Sequence, residues 1–297
     1  MLQKAVENTI HQSMLRAVRP LLAARVPVKM ERQFLAALCR GAQPPQGCQF
    51  SRTHHADVPA LRVTHGNQAH GTLLYFHGGA YALGSSETHR GLAGHLAKAS
   101  GLEVLVPDYR LAPEAPFPAA LDDAKAVYRE LLAAGTPASS IVLGGDSAGG
   151  GLATALALSL RDDGLPLPSA MVLFSPWLDL TNSDWYPALQ DPIISRAMLD
   201  RMGGYYCGKT PSNHPLISPL HGDLRGLPPV LVQVGSEEYL LNDARRFARQ
   251  IAASEGSVEL EIYNDLWHVF QALAGVLQRA SAAVAKAGDF ASSHCHF

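Results

Sequence analysis

Charge is scarce in this chain and balanced in sign. Charged residues fill 17% of 297 positions, 24 Lys and Arg against 26 Asp and Glu, for a net charge of −2; an average soluble domain carries about 25%. With 47% hydrophobic residues, this rules out a disordered chain. No Lys/Arg-rich run supplies the electrostatic footprint of a DNA or RNA partner. Cysteine is sparse too. Cys39, Cys48, Cys207 and Cys295 lie far apart with no CxxC pair, which argues against a disulfide framework or a metal site and for reduced thiols in the cytoplasm. Long apolar runs are missing. Arg16, Arg19 and Arg25 interrupt the N-terminal leucines, so no signal-peptide core forms. The most apolar helical stretch, 148–160, falls short of the ~18 residues a membrane span needs. The expectation is a soluble, unexported protein with no membrane partner, large enough to bury a core without crosslinks.

From about residue 59 onward, short β-rich runs alternate with Ala/Leu-rich stretches of helical period, the mark of a parallel α/β sheet. Strands are expected at 73–77, 103–107, 141–145, 170–174, 230–234 and 258–263. Most are continuous apolar runs, as strands covered on both faces should be. Helices are expected at 88–100, 118–134, 148–162, 239–254 and 270–287, and Gly101, Gly135, Gly164 and Gly256 sit just past four of these ends. Residues 1–45 read as one or two amphipathic helices, and 181–219 are rich in Pro, aromatics and turn formers. The resulting division is an N-terminal cap segment (1–45), a core (46–180), a cap insertion (181–219) and a second part of the core (220–297), with the cap over the carboxyl edge of the sheet.

Gly145-Asp-Ser-Ala-Gly149 lies between an apolar strand and an Ala-rich helix. A bare GxSxG is a weak signal; its place on a sharp strand-to-helix turn is the strong one. Such a turn strains the central residue and projects the Ser147 hydroxyl from the sheet edge, towards the positive end of the following helix. An earlier strand ends in His77-Gly-Gly-Ala80, an HGGG-type loop with alanine in its last place. The N–H groups of Gly78 and Gly79, with that of Ala148, are expected to form an oxyanion hole. His77 precedes the nucleophile and is expected to order its loop.

Hydrolases built this way run nucleophile, acid, base along the chain. His268 follows the last strand and precedes the last helix, the right place for the base. His214 and His221 belong to the insertion and its exit, and His294 and His296 to a frayed tail. For the acid, Asp243 falls within the next helix and Asp265 is too close to His268 in sequence, which leaves Glu237 and Glu238 undecided.

Taken together, His77-Gly-Gly-Ala-Tyr81, Asp108-Tyr-Arg-Leu-Ala-Pro-Glu114, Gly145-Asp-Ser-Ala-Gly-Gly150, Ser175-Pro-Trp177, Leu227-Pro-Pro229 and Trp267-His268 make the chain resemble bacterial esterases of the hormone-sensitive-lipase family. The resemblance implies an α/β-hydrolase fold, a mostly parallel eight-stranded sheet flanked by helices with a helical cap. The family's Asp-Pro-Leu segment aligns with Glu238-Tyr-Leu240 and selects Glu238, a glutamate where an aspartate is usual. Arg110 and Glu114 serve loop structure. The implied activity is that of a serine carboxylesterase acting on small-molecule esters of short to medium acyl chain, without cofactor or metal. Relatives often form a homodimer through the last sheet edge. Tyr81, Trp185, Tyr186 and Tyr205, with Tyr206, are candidates for substrate binding because aromatic walls suit small acyl and alcohol groups. A peptidase and a receptor that has lost catalysis are the rival readings, separated from an esterase by anilide substrates and by covalent labelling of Ser147.

Overall fold

A sheet covered on both faces must spend its strands on apolar residues, and this chain does so over most of its length. The structure, a computed structural model, describes residues 2–23, 26–66, 71–184, 186–187 and 191–296. Helices α1 (Leu2–Ala17), α2 (Arg19–Ala23) and α3 (Val28–Cys39) precede strands β1 (Cys48–His55), β2 (Val58–His65) and β3 (Thr72–Phe76). Then come α4 (Arg90–Ser100), β4 (Glu103–Pro107), α5 (Ala119–Ala133), β5 (Ile141–Asp146), α6 (Ala148–Asp162), β6 (Ala170–Phe174) and α7 (Arg196–Cys207). The chain closes with β7 (Val230–Gly235), α8 (Leu241–Ala253), β8 (Val258–Tyr263) and α9 (Gln278–His294). The eight strands form one sheet in the order β1-β2-β4-β3-β5-β6-β7-β8. β1 and β2 are antiparallel to their neighbours, and every pairing from β4 to β8 is parallel.

Side chains alternate between two layers, as period two dictates. Leu73, Tyr75, Val104, Val142 and Val172 point into a layer made by α4 and α9. Leu74, Phe76, Leu105, Leu143 and Leu173 point into the larger layer of α5, α6 and α8. Six strands lie within a residue of their expected positions. β1 and β2 are not among the expected strands; β1, Cys-Gln-Phe-Ser-Arg-Thr-His-His, is half exposed and carries no apolar run, and it joins β2 through a tight turn at Ala56 and Asp57, whose φ values are 50° and 65°.

Gly101, Gly135 and Gly164 end their helices with φ of 68°, 92° and 67°. Gly256 does not: Glu255 takes the left-handed position at φ 60°. The last helix also differs from expectation. Residues 270–273 form a separate 3-10 turn, and α9 begins only at Gln278. Its tail is not frayed, because Cys295 is buried and the His296 N–H donates to the Ser139 carbonyl at 2.8 Å.

The two segments set apart by composition pack together. Val18 and Leu22 share a buried cluster with Ile194, Met198, Leu199 and Met202. Arg201 of α7 meets the buried Glu31 of α3 at 2.7 Å. Arg32 ties α3 to the core through the carbonyls of Ala82 (2.8 Å) and Ala112 (2.9 Å) and both carboxylate oxygens of Glu114. On α1, Ile10 and Met14 pack against Leu266, Trp267 and Phe270, the residues flanking His268.

Candidate active site

Parallel strands deliver their following loops to one rim, and five of those loops meet here. Ser147 leaves β5 at φ 53°, ψ −121°, a conformation disfavoured for a residue with a Cβ and found where a site needs it. Space explains the flanking glycines. A Cβ at Gly145 would lie 2.4 Å from the Gly149 carbonyl, and one at Gly149 would lie 1.9 Å from the Phe76 oxygen. Strand and helix therefore approach only without side chains at those positions.

The Ser147 Oγ lies 2.9 Å from Nε2 of His268, and the His268 Nδ1 lies 2.8 Å from Oε2 of Glu238. All three are buried. A carboxylate only accepts, so Nδ1 carries the imidazole proton and Nε2 is left as acceptor for the serine hydroxyl. The other oxygen of Glu238 accepts from the Gly235 N–H at 2.5 Å and from the Ser175 hydroxyl at 2.8 Å. Ser175 in turn accepts from the Val269 N–H at 3.1 Å. Ser175 thus links Glu238 to the loop holding His268, a contact not read from the sequence although the Ser-Pro-Trp motif ending β6 marked the position. Glu237 is exposed and accepts from the Ser236 hydroxyl instead. Burial lowers the pKa of His268, but the Glu238 hydrogen bond and charge, then the charges of Asp191 and Asp146, outweigh it and hold the pKa above its ordinary value.

The loop after β3 corrects one expectation. The Gly78 N–H is already engaged by Asp146 Oδ1 at 3.1 Å, so it is not free to receive a substrate oxygen. Gly79 (φ 121°) and Ala80 (φ 52°) follow in left-handed conformations, and a Cβ at Gly79 would lie 2.3 Å from the Leu83 oxygen. Their N–H groups have no acceptor among the described residues. Ala148 opens α6, and its N–H is one of those that a helix start leaves without an intrahelical partner. His77 is stacked on Tyr109 (centroids 4.3 Å, 13°) with Nδ1 2.8 Å from the Gly78 carbonyl. Burial first, then the charge of His89, lowers its pKa to about 4, so it is a neutral residue of the loop.

A family model described as the alpha/beta hydrolase fold matches residues 73–272. The chain is 46% identical to an acetyl-hydrolase of Streptomyces hygroscopicus, over 74% of each chain. It is 40% identical to an esterase of Acinetobacter venetianus, over 88% of each. It superposes with a TM-score of 0.88 and 38% identity on an esterase from the bacterial hormone-sensitive lipase family, covering 95% of this chain and 98% of that one. The chain belongs to the hormone-sensitive-lipase family of α/β-hydrolases. It is a carboxylic ester hydrolase.

In this hydrolase the remaining carboxylates near the rim are accounted for. Asp243 accepts from the N–H groups of Leu178 and Asp179 (2.9 and 3.0 Å), and Asp265 pairs with Lys4. Arg110 pairs with Asp123, and Glu114 with Arg32. His221 is bonded to Asp179. Sequence reading missed Asp191, which is buried, accepts from Ile193 and Ile194 N–H through Oδ1, and leaves Oδ2 without a partner among the described residues. Burial, with the charge of Glu238 adding, raises its pKa to about 7.

The aromatic candidates divide. Tyr81 follows the Gly79-Ala80 loop and stacks face to face on Tyr206 at 3.7 Å, with Trp177 at 6.3 Å. Tyr186 lies under the Arg245 guanidinium, and Tyr205 stands beside Arg201; both pack, partly buried, against the core. Trp185 lies outside the described residues. Also among the described residues, no helix is long and apolar enough to cross a membrane.

Proposed function

We propose that this esterase works through a Ser147–His268–Glu238 triad and an acyl-enzyme, on esters of short to medium acyl chain. Ser147 attacks the ester carbonyl as His268 takes its proton, and the N–H groups of Gly79, Ala80 and Ala148 hold the resulting oxyanion. His268 then protonates the leaving alcohol, and a water activated by the same imidazole releases the acid. Glu238 fixes the tautomer and stabilises the imidazolium. The observation that carries this reading is the continuous chain of two hydrogen bonds, 2.9 and 2.8 Å, from the strained serine to a buried carboxylate.

Residues 1–45 and 181–219 act as the cap in this reading, since α1 packs on the His268 loop and Arg32 holds the carbonyl of Ala82. The aromatic stack of Tyr81 and Tyr206 and the near-complete burial of Ser147 favour small acyl groups, in keeping with the acetyl-hydrolase named among the relatives. Four free thiols fit a cytoplasmic setting. The edge strand β8, with Ile262 exposed, is the surface for a homodimer. The test is an acyl-length series of p-nitrophenyl esters with Ser147→Ala as control. The reading requires kcat/KM to peak at short or medium chains and to vanish in the variant; a long-chain optimum or an active variant contradicts it.

A further inference from the structure

Beneath the oxyanion loop lies a buried pair of opposite charges that the steps above do not use. Asp146 immediately precedes Ser147 and is 3% exposed. Its carboxylate accepts from the Tyr75 hydroxyl at 2.9 Å and from the Gly78 N–H at 3.1 Å, and a Cβ at Gly78 would lie 2.1 Å from its Oδ2. The carboxylate is therefore in direct contact with the loop that supplies the oxyanion donors. His89, at the start of α4, places Nε2 at 3.2 and 3.3 Å from the two carboxylate oxygens. Its Nδ1 faces the Ser85 carbonyl at 3.2 Å and the Thr88 hydroxyl oxygen at 2.9 Å. The Thr88 hydroxyl donates its own proton to Ser85, so Nδ1 faces acceptors, while Nε2 lies between both carboxylate oxygens of Asp146 and the Gly78 N–H, which is 3.2 Å away and shared with Asp146 Oδ1. The imidazolium is the form that donates to the carboxylate and to the Ser85 carbonyl at once.

A lone carboxylate in this position would oppose the reaction, because negative charge develops on the substrate oxygen just across the loop and like charges repel strongly in a low-dielectric interior. We infer that His89 is a positioning residue for ester hydrolysis: as an imidazolium it cancels the Asp146 charge beneath the oxyanion donors and leaves Asp146 free to hold the Gly78 amide. This rests on the proposed roles of Ser147, Gly79 and Ala80. Electrostatics agrees with the geometry. Burial opposes ionisation of both partners, yet Asp146 raises the pKa of His89, with Ser85 and Asp108 assisting, and His89, with Tyr75 assisting, lowers that of Asp146. The titratable neighbours are His77 from the end of β3, neutral, with ring centroids 5.5 Å apart, Asp108 and Tyr109 just beyond β4, Tyr75 of β3, and Cys39 of α3, with Asp146 acting also on Tyr109 and Cys39. His268 is acted on by Glu238, Asp191 and Asp146, so an uncompensated Asp146 pulls the base towards its protonated form.

The test compares His89→Gln, Asp146→Asn and the double variant by kcat, KM and the acid limb of kcat/KM with p-nitrophenyl acetate. Glutamine keeps a donor to Asp146 without the charge, and asparagine keeps an acceptor for Gly78 and Tyr75. His89→Gln should lose about 10- to 100-fold in kcat, reaching at most the lower end of the loss from one oxyanion donor, with KM little changed and the acid limb moved to higher pH. Adding Asp146→Asn should recover most of that loss and return the limb to or below the wild-type position. A double variant no better than His89→Gln, or an unmoved acid limb, overturns the proposal. If His89→Gln does not fold, the protonation state of the His89 ring decides. One readout is independent of catalysis. In nitrogen-15 NMR of Ser147→Ala protein at neutral pH, His89 should carry protons on both ring nitrogens, and a singly protonated ring overturns the proposal whatever the fate of the triad.

Discussion

Replacing Glu238 by glutamine changes one atom pair, and the surrounding bonds dictate how the amide must sit. Oε1 of Glu238 receives two donors, the Gly235 N–H at 2.5 Å and the Ser175 hydroxyl at 2.8 Å, while Oε2 faces the His268 Nδ1 at 2.8 Å. An amide nitrogen cannot accept from two donors, so the glutamine carbonyl takes the Oε1 position and its NH2 turns to the imidazole. Nδ1 must then give up its proton and accept, which moves the proton to Nε2 and leaves Ser147 facing a donor instead of a base. The reactive tautomer is lost along with the charge that stabilises the imidazolium. A wrong-tautomer acid in a serine triad lowers kcat about 10⁴-fold, or about 5.4 kcal/mol of barrier. Steady-state hydrolysis of p-nitrophenyl acetate by Glu238→Gln should therefore fall by about three to four orders of magnitude, with KM little changed. The alanine variant, which imposes no tautomer, should be at least as active. Glutamine within tenfold of wild type would refute the reasoning.

Activity should also fall on the acid side, because the base works only when neutral and the pKa of His268 is raised; kcat/KM should halve above the ordinary histidine value of about 6.5, and a profile flat from pH 5 to 8 would contradict this. Ser175→Ala removes one donor to Glu238 and strands the buried Val269 N–H, so we expect about 1–3 kcal/mol lower stability in urea and a fall in kcat larger than any rise in KM. Glu31→Ala leaves Arg201 partly buried without its partner, at a cost of about 3 kcal/mol by the same measurement; a change below 1 kcal/mol would show that the pair contributes nothing to joining α3 and α7.

The core of the fold was legible because strands covered on both faces write themselves as apolar runs, and β3 to β7 do so. The opening hairpin was not, since β1 is half exposed and its turn uses Ala56 and Asp57 in place of the glycine or asparagine that signals such turns. At the site, strand-loop order was enough to single out Ser147 and His268. Choosing Glu238 over Glu237 needed the family pattern, because the two differ only in which side of the loop they occupy. Gly78 illustrates the limit from the other side: a glycine in the right loop reads as an oxyanion donor until the carboxylate of Asp146 is found on its N–H. That contact joins residues 68 positions apart, and no local pattern announces it. Asp191 and His89 escaped for the same reason, since what sets them apart is burial beside charges supplied by other loops.

The most direct test of the account is covalent titration with a fluorophosphonate followed by peptide mass spectrometry. One equivalent should attach to Ser147, activity should disappear in proportion, and Ser147→Ala should take up none. Label on another residue, or full activity after Ser147 is modified, would contradict the account.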